Sequence, residues 1–211
     1  MKNISNISLS GKRVLIRVDF NVPLDEYFNI TDDSRIEAAL PTIKKVMRDG
    51  GKAIIMSHLG RPKNGFEKRF SLKHIVKHLS YLLEISVGFS GDCVGKNTRV
   101  DINNMENGDV LVLENLRFYP QEELGNSAFA KQLAKLADVY VNDAFGAAHR
   151  AHASTSIIAN YFPNKKYFGL LLSREITSLK TALEKPKRPF TAIIGGAKIT
   201  GKIDVITSLF D

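Results

Sequence analysis

The 211-residue chain is predicted to fold as a three-layer α/β structure, a mostly parallel sheet with helices on both faces. Two observations predict it. Short apolar runs alternate with segments whose apolar residues recur at the helical period, and strand–helix alternation places successive strands side by side and parallel. The strand-like runs are also nearly continuous in apolar residues, as in sheets covered on both faces.

The elements come in this order. "RVLIRVDF" reads as the first strand. "SRIEAALPTIKKVMRDGG" reads as a helix with Ile36, Leu40, Ile43 and Met47 on one face and Gly50 as its stop; Pro41 should kink it or move its start. "KAIIMSH" is a second strand, and "SLKHIVKHLSYLLE" a helix with Leu72, Ile75, Val76, Leu79, Leu82 and Leu83 in one stripe. "DVLVLENLRF" is a strand, "NSAFAKQLAKLA" a helix capped by Asn126 or Ser127, and "DVYVNDAFG" another strand. Together they describe a Rossmann-like domain over residues 1–168. "GLLLSREITSLKTALEK" then reads as a long helix with Leu172, Ile176, Leu179 and Leu183 in a stripe; with the basic, proline-containing "KPKRP" it reads as a connector over 169–188, where the resemblance named below implies the hinge. "FTAIIGG" and "KIDVITSLF" start a fresh β–α unit over 189–211, the opening of a second domain.

The composition, 44% hydrophobic and 25% charged, is that of an ordinary globular chain, and the net charge of +8 favours an anionic partner without choosing one. Cys93 is the only cysteine, so no internal disulfide forms; it reads as an inert thiol of a reducing, cytoplasmic setting. "MKNISNISLSGKR" lacks the apolar core of a signal peptide, and no apolar run reaches the ~18 residues of a membrane span, so no membrane partner is expected. No nucleic-acid recognition motif or stacking-aromatic pattern is present either.

Ligands of open parallel sheets bind outside the carboxyl ends of the strands. There the sequence places Asp19 and Asn21 in "DFN", His58 and Arg61 in "SHLGRP", Arg117 in "ENLRF", and Asp143, His149, Arg150 and His152 in "NDAFGAAHRAH". Arg35 stands just inside a helix start, where the positive end of the helix dipole disfavours it unless it faces an anion. The set predicts a basic crevice for a small polyanion, since arginine forks match phosphate and carboxylate oxygens at two points. Asp19 suits a ligand hydroxyl rather than a nucleic-acid backbone. His74 and His78 have a metal-ligand spacing but lie opposite the apolar stripe, so a solvated helix face is expected; "HRAH" is not read as a metal site either.

"GGAKITGKI" has the spacing of a nucleotide-binding P-loop, but Ile203 stands where such a loop needs Ser or Thr for magnesium. Gly195 and Gly196 instead allow close backbone approach, and Lys198 and Lys202 share one side of a helix start suited to phosphate.

The ordered series "RVDFNVPL", "MSHLGRPK", "VLENLRF", "VNDAFGAAHRAHAS" and "GGAKITGK" resembles the phosphoglycerate kinase family, from Gly11 to Asp211. That resemblance implies a glycolytic and gluconeogenic phosphotransferase, moving a phosphoryl group reversibly between 1,3-bisphosphoglycerate and ADP to give 3-phosphoglycerate and ATP. It implies a cytoplasmic monomer of two α/β domains about a hinge. Residue by residue, Asp19, Phe20 and Asn21 meet the glycerate, and His58, Leu59, Gly60 and Arg61 its charged end, with Arg117 and Arg150 on phosphate. Arg35 steadies the transferring group and Lys198 meets the migrating phosphoryl, as the catalytic pair; Gly195, Gly196, Lys198 and Lys202 face the nucleotide. Magnesium would arrive with ATP or ADP, held by acidic residues beyond this sequence. The chain by itself is then expected to bind 3-phosphoglycerate and to lack most of the nucleotide site and its turnover. The alternative is a stand-alone P-loop-type nucleotide-binding protein.

Overall fold

The structure, a computed structural model, describes residues 2–63 and 65–184 together with positions 189, 191 and 193. Gly195, Gly196, Lys198 and Lys202, and the β–α unit expected around them, lie outside the described residues. Six strands form one parallel sheet: β1 (Arg13–Arg17), β2 (Lys52–Met56), β3 (Gly88–Ser90), β4 (Val110–Leu113), β5 (Val139–Asn142) and β6 (Lys166–Phe168). Their order is β3-β4-β2-β1-β5-β6. From β1 the chain builds outward on one side, then returns to lay β5 on the other. The strand order therefore reverses beside β1, where a crevice opens at the carboxyl ends. Register aligns those ends, with Arg17 opposite both Met56 and Asn142.

The described residues also form seven helices: α1 (Ser34–Arg48), α2 (Lys73–Leu83), α3 (Lys96–Asn103), α4 (Pro120–Glu123), α5 (Ser127–Ala134), α6 (Phe145–Ala148) and α7 (Leu170–Glu184). Side-chain alternation along each strand splits the core between the two faces. Val14 and Ile16 of β1 join Val110 and Val112 of β4 under α1 and α2, through Ile36, Ile43, Ile75 and Leu79. Leu15, Ile54, Leu111 and Tyr140 face the other way, against Ile102 of α3 and Phe129 and Leu133 of α5. Among the described residues, the strands and helices expected up to residue 184 and the two-sided coverage are present.

Some details differ from the sequence reading. Pro41 does not move the start of α1, which begins at Ser34 and runs through it; Pro41 is exposed. The buried face of α1 is Ile36, Ala39, Thr42, Ile43 and Val46, so Leu40 and Met47 sit at its margin. Asn126 rather than Ser127 caps α5, accepting from the Phe129 N–H at 3.0 Å. The edge strands β3 and β6 were not anticipated, being three residues each with no long apolar run. Nor was α3, in which only Thr98 and Ile102 are buried. The chain divides into two compact units, Met1–Ser173 and Arg174–Asp211, with the division inside α7.

Gly169 occupies a close approach: a Cβ there would overlap the Asp143 carboxylate, which accepts from the Leu172 N–H at 3.0 Å. Gly91 faces open space at an ordinary φ. Gly169→Ala should therefore destabilise the fold by about 1–3 kcal/mol, as overpacking does. Gly91→Ala should be neutral or stabilising by up to ~1 kcal/mol through the unfolded chain. Urea unfolding of the two variants checks the contrast; equal midpoints would contradict it.

Candidate functional site

The site is built from the carboxyl end of β1 upward. Strand alternation turns Arg17 to the same face as Leu15, and the residue is only 1% exposed. A guanidinium keeps its charge there, so its donors must find acceptors. Nε donates to Ser154 Oγ at 2.9 Å, Nη1 to the Val18 carbonyl, and Nη2 to His58 Nδ1 at 3.1 Å. Ser154 passes the contact on: its hydroxyl donates to Glu122 Oε1 at 2.5 Å and its N–H to Oε2 at 3.0 Å. Glu122 is likewise buried, so a single hydroxyl links a buried cation to a buried carboxylate.

His58 follows β2 and is 7% exposed. Because Arg17 has only donors, Nδ1 must accept, which leaves the proton on Nε2. Burial pushes the imidazole down to a pKa of about 2, assisted by the positive charges of Arg17, Arg117 and Arg150 and by His152. His58 is thus a neutral Nε2–H donor over the whole physiological range. Burial also lowers the pKa of His152.

The loops after β1 and β2 are tied together. Asn21 Oδ1 accepts from the Gly60 N–H at 2.8 Å, and the Asn21 N–H donates to Asp19 Oδ1 at 3.3 Å. The Phe20 N–H donates to Ser57 Oγ at 2.8 Å, and its ring is wholly buried in the core. Phe20 therefore anchors the loop between Asp19 and Asn21 and offers no ring to the surface. Leu59 is also buried, whereas Arg61 is exposed. Arg117 donates from Nη1 to the Gly60 carbonyl at 2.7 Å and pairs through Nε with Glu123 Oε1 at 3.0 Å; burial lowers its pKa. Arg150 follows α6 and is half-buried, its carbonyl accepting from Thr155 Oγ1 at 2.7 Å.

Arg35, second residue of α1, meets Asp19 Oδ2 at 2.6 Å with its side chain 52% exposed. The anion it faces here is thus a carboxylate of the chain itself. Exposed pairs of this kind contribute about 0–1 kcal/mol, so exchange for a ligand oxygen costs little.

The structure joins Asp19, Asn21, Arg35, Gly60 and Arg117 in one bonded cluster, with His58 Nδ1 4.0 Å from Asp19 Oδ1 and Arg150 and Arg61 close enough to act on the titrations of the site. Arg17 was missed by sequence reasoning, although an arginine inside "VLIRV" was the available signal. Glu122 and Ser154 carried no such signal.

His74 and His78 are part-exposed on α2 beside the exposed Lys73 and Lys77, on the solvated side expected of them, and each also has a partner. His78 Nε2 lies 2.8 Å from Asp33 Oδ2, and His74 stacks on Phe28 at 4.4 Å while donating from Nε2 to the Lys68 carbonyl at 2.7 Å. Among the described residues no group of three or more His, Cys, Asp or Glu is placed to hold a metal ion. Among them also, no helix is long and apolar enough to cross a membrane.

Comparison with known proteins places these residues in context. The family model described as phosphoglycerate kinase matches residues 4–211. The phosphoglycerate kinase of Chlorobaculum tepidum is 55% identical over 210 residues, covering 100% of this chain and 53% of that protein. That of Chlorobium limicola is 53% identical with the same coverage. The chain thus spans about half the length of the curated relatives it matches. Among solved structures, phosphoglycerate kinase from Coxiella burnetii matches with a TM-score of 0.84 at 41% identity, over 97% of this chain and 51% of that one. The enzyme from Pyrococcus horikoshii matches with a TM-score of 0.86 at 31% identity, over 98% and 51%.

The neutral His58 has a consequence for stability. Its folded pKa is far below the unfolded 6.5, so the unfolded chain binds the extra proton. The stabilisation is full above pH 6.5 and is lost progressively as pH falls toward the folded value. Between pH 7.5 and 5 the native chain should lose about 2 kcal/mol from this group. His58→Gln, which does not titrate, should flatten that part of the fall. Urea midpoints at the two pH values check it; parallel losses in both proteins would contradict it.

Proposed function

Because the chain belongs to the phosphoglycerate kinase family, we propose that it supplies the phosphoglycerate-binding part of that enzyme. The reaction is reversible phosphoryl transfer between 1,3-bisphosphoglycerate and ADP. The observation that carries the reading is the convergence of Arg17, Arg117 and Arg150 on a neutral His58 beyond the strand ends, with Arg61 beside Arg117 and Arg35 held by Asp19. No strong base is built there, and none is needed: a nucleotide phosphate oxygen attacks an acyl phosphate without prior deprotonation. Such transfer is governed by positioning and by neutralisation of charge spread over the phosphoryl oxygens.

In this reading the patch divides its work. Arg61, Arg117, Arg150 and the His58 Nε2–H hold carboxylate and phosphate oxygens, Asp19 and Asn21 orient the glycerate hydroxyl, and Arg35 turns from Asp19 to the transferring group. Arg17 acts from beneath, setting the tautomer of His58. Lys198 and Lys202, with Gly195 and Gly196, form the nucleotide-facing edge in the same proposal. Magnesium, supplied with the nucleotide, would neutralise phosphate charge, and the described residues offer no group of ligands for it. Hinge motion about residues 169–188, a monomeric state and a cytoplasmic setting complete the reading. The buried, unpaired Cys93 suits the last of these.

Calorimetric titration of the 211-residue chain with 3-phosphoglycerate tests it. One charge-assisted contact is worth about 1.5–3 kcal/mol. Arg61→Met should therefore weaken binding about tenfold or more, and leave the thermal midpoint unchanged because Arg61 is exposed. Arg35→Met should change ground-state affinity less than Arg61→Met does. No heat with 3-phosphoglycerate, or equal affinity for inorganic phosphate, would overturn the reading.

A further inference from the structure

Asn115 stands just beyond β4 and is completely buried. Its side-chain amide is used at every position. Oδ1 accepts from the Leu59 N–H at 3.2 Å and the Arg117 N–H at 3.0 Å; Nδ2 donates to the Leu59 carbonyl at 2.7 Å and the Phe70 carbonyl at 2.9 Å. Two N–H groups at one end and two carbonyls at the other fix which way the amide points. Its neighbour Glu114, also buried, accepts from the Asn115 N–H at 2.8 Å, the Leu72 N–H at 2.8 Å and the Ser71 hydroxyl at 2.7 Å. One dipeptide therefore clasps three segments: 58–61, 70–72 and 115–117.

Two of those segments carry the cations and the imidazole of the anion site. The third closes over them. The Phe70 ring lies against Gly60, which adopts φ +61° and has no room for a Cβ. Arg117 completes the ring of contacts through the Gly60 carbonyl at 2.7 Å. A buried amide costs free energy unless fully bonded, and an apolar residue of the same size would leave four backbone groups without partners at about 1–3 kcal/mol each.

We infer that Asn115 is a positioning residue: it sets the spacing between the His58–Arg61 loop and Arg117, so that an anion meets a preformed cradle. The inference rests on the anion-site reading above. Preorganisation of this kind acts on affinity by lowering the ordering cost of binding.

Asn115→Asp is the test. It preserves shape and keeps an acceptor toward Leu59 and Arg117, but sets a carboxylate oxygen against two carbonyls. Thr98→Val is the control; Thr98 is buried beside β3, bonded to Ser90 Oγ and the Asp92 carbonyl, and touches none of the site. Calorimetry with 3-phosphoglycerate at pH 8 and pH 5.5 is paired with thermal midpoints and with amide exchange at Leu59 and Arg117. At pH 8, N115D should bind about tenfold or more weaker than the native chain. T98V should lower the midpoint and leave affinity unchanged. At pH 5.5, protonation makes residue 115 a donor again, and the deficit of N115D relative to the native chain should narrow. Equal affinity of N115D and native at pH 8, or an equal loss in T98V, would overturn the role.

Exchange separates this claim from the ligand reading. If the native chain binds no 3-phosphoglycerate but N115D speeds exchange at Leu59 and Arg117, the positioning role stands and the ligand reading falls. Unchanged exchange in N115D overturns the positioning role whatever the ligand. Ser71→Ala, a lighter cut through Glu114, carries the test should N115D fail to fold at pH 8. It should weaken binding about two- to fivefold, and unchanged affinity would overturn the role.

Discussion

The guanidinium of Arg17, buried at the carboxyl end of β1, is the constraint around which the site is arranged. β1 lies inside the sheet between β2 and β5, so a charge at its end is removed from water on both faces. Its guanidinium N–H groups are therefore met by acceptors within the fold. Its contacts draw in Val18 after its own strand, His58 after β2, and Ser154 beyond β5, which passes the contact to Glu122 of α4. Meeting one buried charge thus fixes the mutual placement of segments separated by up to 137 residues in sequence.

That arrangement gathers arginines about His58, with the Asp19 carboxylate 4.0 Å from its Nδ1. His58, facing Arg17, stays neutral and keeps its donor; the other arginines add to the field. Glu122 and Glu123 compensate from the side, through Ser154 and Arg117. Asp19 is held by the exposed Arg35, the most easily redirected of the pairs. An incoming polyanion would replace contacts of low worth with charge-assisted ones against a low-dielectric wall, which is the condition for strong recognition.

Much of this was legible in the sequence because parallel sheets put function at strand ends. The polar residues directly after each apolar run were enough to nominate Asp19, Asn21, His58, Arg61, Arg117 and Arg150. The strands β3 and β6 escaped because edge strands of three residues leave no run to see. Leu40 and Met47 do pack against the core from the margin of α1, while Ala39 and Thr42, which periodicity of large apolar residues passes over, are fully covered at its centre. Arg17 was passed over as one residue of an apolar strand, and the relay through Ser154 and Glu122 joins positions that no spacing rule connects. Asn115 was visible only as part of "ENLRF", since its four bonds exist only after three segments have come together.

The site turns on a His58 that burial keeps neutral and whose proton Arg17 fixes on Nε2. Nitrogen-15 NMR of the imidazole across pH 8 to 5 tests it most directly. The expected result is one neutral signal set with Nε2 protonated, Nδ1 as acceptor and no titration across that range. A midpoint near 6.5, or a proton on Nδ1, would contradict it.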